Sequence, residues 1–173
     1  MAIASIQDDC SVTAVAEHTP QTRDCEVYRL GRIGYAEAAA LQAERVARRK
    51  LNEVPDALLL LEHAPVITWG RNSRAANLLS SPEMLAREGI ELQQTNRGGD
   101  ITFHGPGQLV GYPIICLEGI RKDVVWYVRT LEEALIRTLG DFAIAAFRKR
   151  GMTGVWVDRE GGPAKVAAIG VHI

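Results

Sequence analysis

The residues best placed to do chemistry crowd into one stretch. Arg97-Gly98-Gly99-Asp100-Ile101-Thr102-Phe103-His104-Gly105-Pro106-Gly107 is followed by Gly111, so five glycines fall within the 15 residues from Arg97 to Gly111. Gly98 and Gly99 let backbone approach a ligand closely. Gly105-Pro106-Gly107 makes a second turn of fixed shape. Between the turns, Asp100, Thr102 and His104 alternate with Ile101 and Phe103, so a strand here has one polar and one apolar face. Backbone N–H groups and an imidazole would then face a shared cleft. A plainer reading competes: a glycine-rich hairpin with a hydrogen-bonded histidine, since turns account for most glycines. The stretch is not a phosphate loop, because neither G-x-x-x-x-G-K-[ST] nor G-x-G-x-x-G opens a helix here. No G-x-S-x-G or H-E-x-x-H anchors a serine hydrolase or a zinc protease.

The elements that must position this segment alternate in type. A chain of 173 residues fits one domain. Hydrophobic residues at 47% and charged residues at 24% are usual for a globular protein. Twenty Lys and Arg against 21 Asp and Glu leave a net charge of -1, which argues against general nucleic-acid binding by phosphate neutralisation. Apolar runs such as Ala57 to Leu61 are far too short to cross a bilayer. Three cysteines, Cys10, Cys25 and Cys116, without C-x-x-C spacing, point away from disulfides and structural zinc and toward a reducing cytoplasm. The chain stops within what reads as a strand, and a C-terminally incomplete domain is expected.

Residues 1–24 read as a flexible extension, followed by one domain over 25–173. A strand is expected at Cys25 to Leu30, then a helix from Tyr35 to about Leu51. The run Ala57 to Glu62 reads as a buried central strand, and Val66 to Trp69 as another. Ser81 and Pro82 form a helix start, with the helix ending near Gly89. Ile90 to Gln94 and Leu109 to Leu117 read as strands, the latter at an edge because of Pro113. Asp123 caps an amphipathic helix whose apolar stripe is Val124, Val128, Leu131, Leu135 and Leu139, with Arg129, Glu132, Glu133 and Arg137 off it. Gly154 to Asp158 and Lys165 to Ile173 read as two strands joined by Gly161-Gly162-Pro163. The expected class is α+β (α/β), with a single mixed, largely antiparallel sheet flanked by helices.

The stretch Arg97 to Val110 resembles the signature of the octanoyltransferases of lipoate biosynthesis. Three more segments agree in order: Glu62-His63-Ala64-Pro65-Val66-Ile67-Thr68-Trp69-Gly70, Gly154-Val155-Trp156-Val157, and Lys165-Val166-Ala167-Ala168-Ile169-Gly170-Val171. The resemblance runs from about Tyr28 to Ile173. It implies a fold like the biotin and lipoate protein ligase catalytic domain. It also implies transfer of an octanoyl group from acyl carrier protein to a lysine amine of lipoyl domains, in 2-oxoacid dehydrogenases or glycine cleavage H protein. The implied route is a cysteine thioester, with no metal or organic cofactor, no nucleic acid or membrane partner, and a monomeric state.

The resemblance also implies roles. Arg97, Gly98, Gly99, Asp100, Ile101, Thr102, Phe103 and His104, with Ala168, Ile169 and Gly170, line the acyl-substrate site. Phe103 stands where the family often has Tyr. Lys165 matches the lysine that lowers the pKa of the nucleophilic cysteine. Strand alternation would put Lys165 on one face with Ala167, Ile169 and Val171, where a poorly solvated cation gains by facing a thiolate. The plain alternative is an ordinary solvated lysine. The family's cysteine lies in a Pro-Cys-Gly segment after the lysine motif, and none of Cys10, Cys25 and Cys116 fits it. The expectation is that this chain lacks transferase activity without a further C-terminal part. Two other functions remain open: an ATP-dependent lipoate or biotin ligase, and a non-catalytic acyl-binding remnant. Arg121-Lys122 and Arg148-Lys149-Arg150 would steer the acidic carrier protein, or else are solvated surface. His63 reads as a hydrogen-bonded or turn-capping residue. Trp69, Trp126 and Trp156 read as packing residues.

Overall fold

Apolar residues in a run as short as Ala57 to Leu61 favour a strand, and the computed structural model of the chain places that run at the centre of a sheet. The structure describes residues 23–118 and 120–172. Cys10 and nearly all of the expected extension lie outside them. The elements, in order, are β1 (Cys25–Ile33), α1 (Tyr35–Lys50), β2 (Asp56–His63), β3 (Val66–Trp69), a short 3-10 turn (Ala75–Asn77), α2 (Pro82–Arg87), β4 (Glu91–Gln94), β5 (Thr102–His104), β6 (Val110–Ile114), α3 (Val124–Asp141), β7 (Ala146–Lys149), β8 (Met152–Val157) and β9 (Ala164–Ala167).

The α+β class holds, but the expected single sheet is three sheets of three strands, ordered β1-β2-β6, β4-β3-β5 and β7-β8-β9. Pairs β1–β2 and β3–β4 are parallel and the other four are antiparallel. Strands of three and four residues in the second sheet, cut by the glycine turns, cannot extend into one continuous ladder.

Strand β2 was expected to be buried on both faces. Its burial instead alternates: Ala57, Leu59, Leu61 and His63 are buried, whereas Leu58, Leu60 and Glu62 are partly exposed. The covered face packs with Ala38 and Leu41 of α1 and with Val110 and Ile114 of β6. Pro113 sits on the edge strand β6, where a missing N–H is tolerated. The ion pair Arg49–Asp56, 2.7 Å and nearly buried, ties the end of α1 to the start of β2. The same Asp56 oxygen accepts from the Cys116 amide at 3.0 Å.

Both expected caps form. Ser81 Oγ accepts from the Met84 amide at 3.3 Å, and Asp123 Oδ1 from the Trp126 amide at 2.9 Å. Along α3, however, the one fully buried residue is Glu132, at 0% exposure, which the sequence pattern assigned away from the packed stripe. Strand β7 was not expected. Its Arg148-Lys149 reads as surface charge, yet it pairs with β8. The strand expected over Lys165 to Ile173 ends at Ala167. Beyond it, residues 168–172 leave the ladder and run against the glycine-rich segment.

Candidate functional site

Arg97 organises the glycine-rich segment. Its guanidinium donates from Nη2 to Thr68 Oγ1 at 2.7 Å and to the Thr68 carbonyl at 3.0 Å, and from Nη1 to the Gly98 carbonyl at 3.0 Å. Thr68 is buried on β3 and passes its own hydroxyl proton toward the Thr102 carbonyl, 3.3 Å away on β5. A planar fork that reaches side chain and carbonyl of one residue suits arginine and not lysine. Arg97 thus staples the loop to the second sheet.

Against this loop lies the segment after β9. The Gly98 amide donates to the Val171 carbonyl at 3.1 Å. Gly170 needs to be glycine here, because a Cβ would meet the Gly98 carbonyl oxygen at 2.7 Å; a Cβ on Gly70 would meet the Gly99 carbonyl oxygen at 2.5 Å. Arg97, Gly98, Gly99 and Gly170, all expected site residues, are therefore in one cluster. Ile101, Thr102 and Ile169 are half-buried, whereas Asp100, Phe103 and Ala168 are exposed. Asp100 accepts from the Ile101 amide at 2.8 Å and from the Asn77 side chain. These bonds, the Ile101 amide first, hold its carboxyl below the usual range, so it shapes the turn as a carboxylate.

A group of rings borders the loop. His104 of β5 and His63 of β2 stand 5.8 Å apart, edge to face, and Tyr35 and Tyr112 lie 5.4 and 5.9 Å from His63. His63 is fully buried and its ring nitrogens are both engaged, Nδ1 with the Ile33 carbonyl at 3.2 Å and Nε2 with the Tyr112 hydroxyl at 2.8 Å. It is the hydrogen-bonded histidine the sequence suggested. His104 Nδ1 lies 2.6 Å from Gln108 Oε1, while Gln108 Nε2 donates to the Phe103 carbonyl at 3.4 Å. The amide is oriented by that second bond, so His104 Nδ1–H donates and Nε2 is left with its lone pair. Burial pushes His104 below its ordinary value, and nearby His63 and Arg97 add to this; Gln108 opposes it. Burial raises both Tyr112 and Tyr35 above the usual phenol value. Tyr35 and Tyr112 were not among the expected site residues. No motif marks them, and they reach the cluster only through folding.

Lys165 differs from its physical expectation. A register shift lies between Val155, which pairs with Ala167, and Trp156, which pairs with Lys165, so simple alternation fails. Lys165 is exposed, not sequestered on an apolar face. Its ammonium sits over the Trp156 ring at 5.1 Å, and Lys149 Nζ over the same ring at 4.8 Å. The basic runs are engaged rather than bare: Arg148 with Glu132 and Glu133, Arg121 with Asp123, and Lys122 with Glu118. Cys25 is exposed and Cys116 half-buried. Burial, Asp56 and Glu26 all push the Cys25 thiol up, which disfavours the thiolate a nucleophile needs.

The fold defines a class first. It matches a solved structure described as that of a bi-partite lipoate protein ligase and its E2 lipoyl domain from Thermoplasma acidophilum, with a TM-score of 0.60 at 18% identity over 79% of this chain and 52% of that one. This is the architecture of lipoate ligase catalytic domains. The chain belongs to the lipoyl protein ligase A/B catalytic domain family, whose pattern matches residues 34–173. Among curated proteins it is 54% identical over 151 residues to the octanoyltransferase of Solibacter usitatus, and 52% identical over 150 residues to that of Koribacter versatilis. The alignments cover 87% and 86% of this chain, which spans 67% and 59% of those relatives' lengths.

Proposed function

We propose that this chain forms most of the acyl site of an octanoyltransferase, moving an octanoyl group from acyl carrier protein to a lysine of a lipoyl domain. The observation that carries the reading is the clasp of Arg97-Gly98-Gly99 against Gly170-Val171, built from residues of the two motifs that resemble the family. Identity above 50% to two proteins named octanoyltransferase supports it.

In this reading a thiolate attacks the octanoyl thioester, forming an acyl-enzyme and releasing the carrier thiol. One thioester replaces another, so positioning rather than ATP drives the step. The acceptor amine then attacks the acyl-enzyme, displaces the thiolate and forms an amide. Lys165 stabilises the thiolate. Arg97, Gly98, Gly99, Asp100, Ile101, Thr102, Phe103 and His104, with Ala168, Ile169 and Gly170, surround the acyl substrate. The bare backbones of Gly98 and Gly170 approach closely here, and small residues suit a site for a thin acyl chain. His104 acts as a pocket wall and hydrogen-bond acceptor through Nε2. The nucleophile is assigned to the family's Pro-Cys-Gly cysteine, which none of Cys10, Cys25 and Cys116 matches, and the raised Cys25 thiol supports this. In this reading the reaction runs in the cytoplasm, which the sparse cysteines without C-x-x-C spacing support.

The test is transfer from octanoyl-acyl carrier protein to a purified lipoyl domain, with and without ATP. The 173-residue chain alone should show no turnover. The chain joined to a relative's remaining C-terminal part should transfer without ATP. Turnover that demands ATP would sink the transferase reading.

A further inference from the structure

We propose that Glu132 is a positioning residue for Lys165, acting through Gly154. This rests on the part given to Lys165 in octanoyl transfer. Glu132 is on α3 at 0% exposure, a burial that an acidic side chain reaches only with full hydrogen bonding. It has that. Oε1 accepts the Gly154 amide at 2.9 Å. Oε2 receives Arg129 Nη1 at 2.7 Å and lies 3.3 Å from Arg148 Nε. Burial alone would raise this carboxyl, but the Gly154 amide, Arg129 and Arg148 outweigh it and hold it below the usual range.

Gly154 has a φ of +113°, and a Cβ there would meet the Ala167 carbonyl oxygen at 2.5 Å and the Lys165 Cδ and Cε carbons at 3.3 Å. The Lys165 stem therefore lies along the bare Gly154 backbone. The amide that Glu132 holds belongs to the residue that carries this stem. Next to Gly154, the β8–β9 register shifts, and Lys165 falls opposite Trp156 with its ammonium over the ring. The relay runs from the Arg129 and Arg148 guanidiniums through Glu132 to Gly154 and so to Lys165. Only a carboxylate can accept at both ends. A glutamine has one oxygen and one NH2, so either Gly154 or the arginines would face a donor.

Competitive acetylation of the intact chain, read by peptide mass spectrometry, tests this. Acetic anhydride is the probe, and Lys50 and Lys122 are internal references. In Glu132→Gln, a loosened Gly154 should free Lys165 from the ring and raise its relative modification about threefold or more, as expected of groups in one network. Arg129→Gln, on a side chain that is 50% exposed, should shift Lys165 in the same direction by less. Unchanged Lys165 modification in both variants would overturn the proposal; if Glu132→Gln does not fold, Arg129→Gln alone decides. Acetylation does not read acyl transfer. Failure of the Lys165 role would appear instead as normal transfer by Lys165→Ala in a protein that carries its cysteine.

Discussion

The Gly98 amide donates to the Val171 carbonyl at 3.1 Å, so the segment after β9 closes on the glycine-rich loop by a backbone bond. Gly170 has no room for a Cβ in this contact. Gly170→Ala should place a Cβ 2.7 Å from the Gly98 carbonyl oxygen and separate the two segments. A loss of about 1–3 kcal/mol is expected from such overpacking. Thermal denaturation of the variant beside Gly34→Ala, which has open space at its Cβ, checks this. Equal melting of the two would remove the clasp from the account.

Arg97→Lys should keep the charge but lose the fork onto Thr68. A single ammonium cannot hold the Thr68 hydroxyl, the Thr68 carbonyl and the Gly98 carbonyl at the present distances. A cost of about 1–3 kcal/mol is expected from lost charged hydrogen bonds. Amide exchange at Gly98, which donates to Val171, should quicken. Urea unfolding and exchange measured together give the check. Native stability and native protection in Arg97→Lys would show that the fork is dispensable.

The pH response of His104 follows from its depressed folded value. Below about pH 6.5, the ordinary histidine value, the unfolded chain takes up the proton before the folded one does. Stability should therefore fall as pH drops through that value, and stop falling once His104 is protonated in the folded state. His104→Gln should flatten this part of the profile. Urea unfolding between pH 7.5 and 5, with NMR titration of the imidazole, reads both. A His104 midpoint at or above the ordinary value would refute the burial argument.

Asp56→Ala should be among the most damaging substitutions away from the site. It leaves Arg49 nearly buried without its 2.7 Å partner and orphans the Cys116 amide. Breaking such a pair from one side costs about 3–5 kcal/mol. Replacing Arg49 and Asp56 together by apolar residues should cost less than Asp56→Ala alone. A double variant as unstable as the sum of the singles would contradict this.

Much of the fold was legible because its signals are local. Ser81-Pro82 and Asp123 announce their helices through caps that need only the next few residues. The glycine pattern from Arg97 to Gly107 exposed the loop, and the resemblance paired it with the segment around Gly170. What escaped depends on contacts between distant positions. Arg97 meets Thr68 across 29 residues and His63 meets Tyr112 across 49, so nothing near Tyr112 marks it for the site. The neighbours of Glu132 on α3 mark it as solvent-facing; its burial comes from Gly154 and Arg148, which are distant in sequence. Strict alternation misplaces Lys165 because the β8–β9 pairing carries a register shift. The division into three sheets likewise follows from turns and shifts that a hydrophobic pattern does not encode.

The central claim is that the acyl group travels on a cysteine outside these 173 residues, on a pocket these residues build. The most direct measurement is trapping of the acyl-enzyme with octanoyl-acyl carrier protein, followed by mapping of the modified residue by mass spectrometry. The account predicts a hydroxylamine-labile octanoyl thioester only when a family Pro-Cys-Gly segment is joined to the chain, and none on Cys10, Cys25 or Cys116. An octanoyl group on any of those three cysteines in the isolated chain would contradict it.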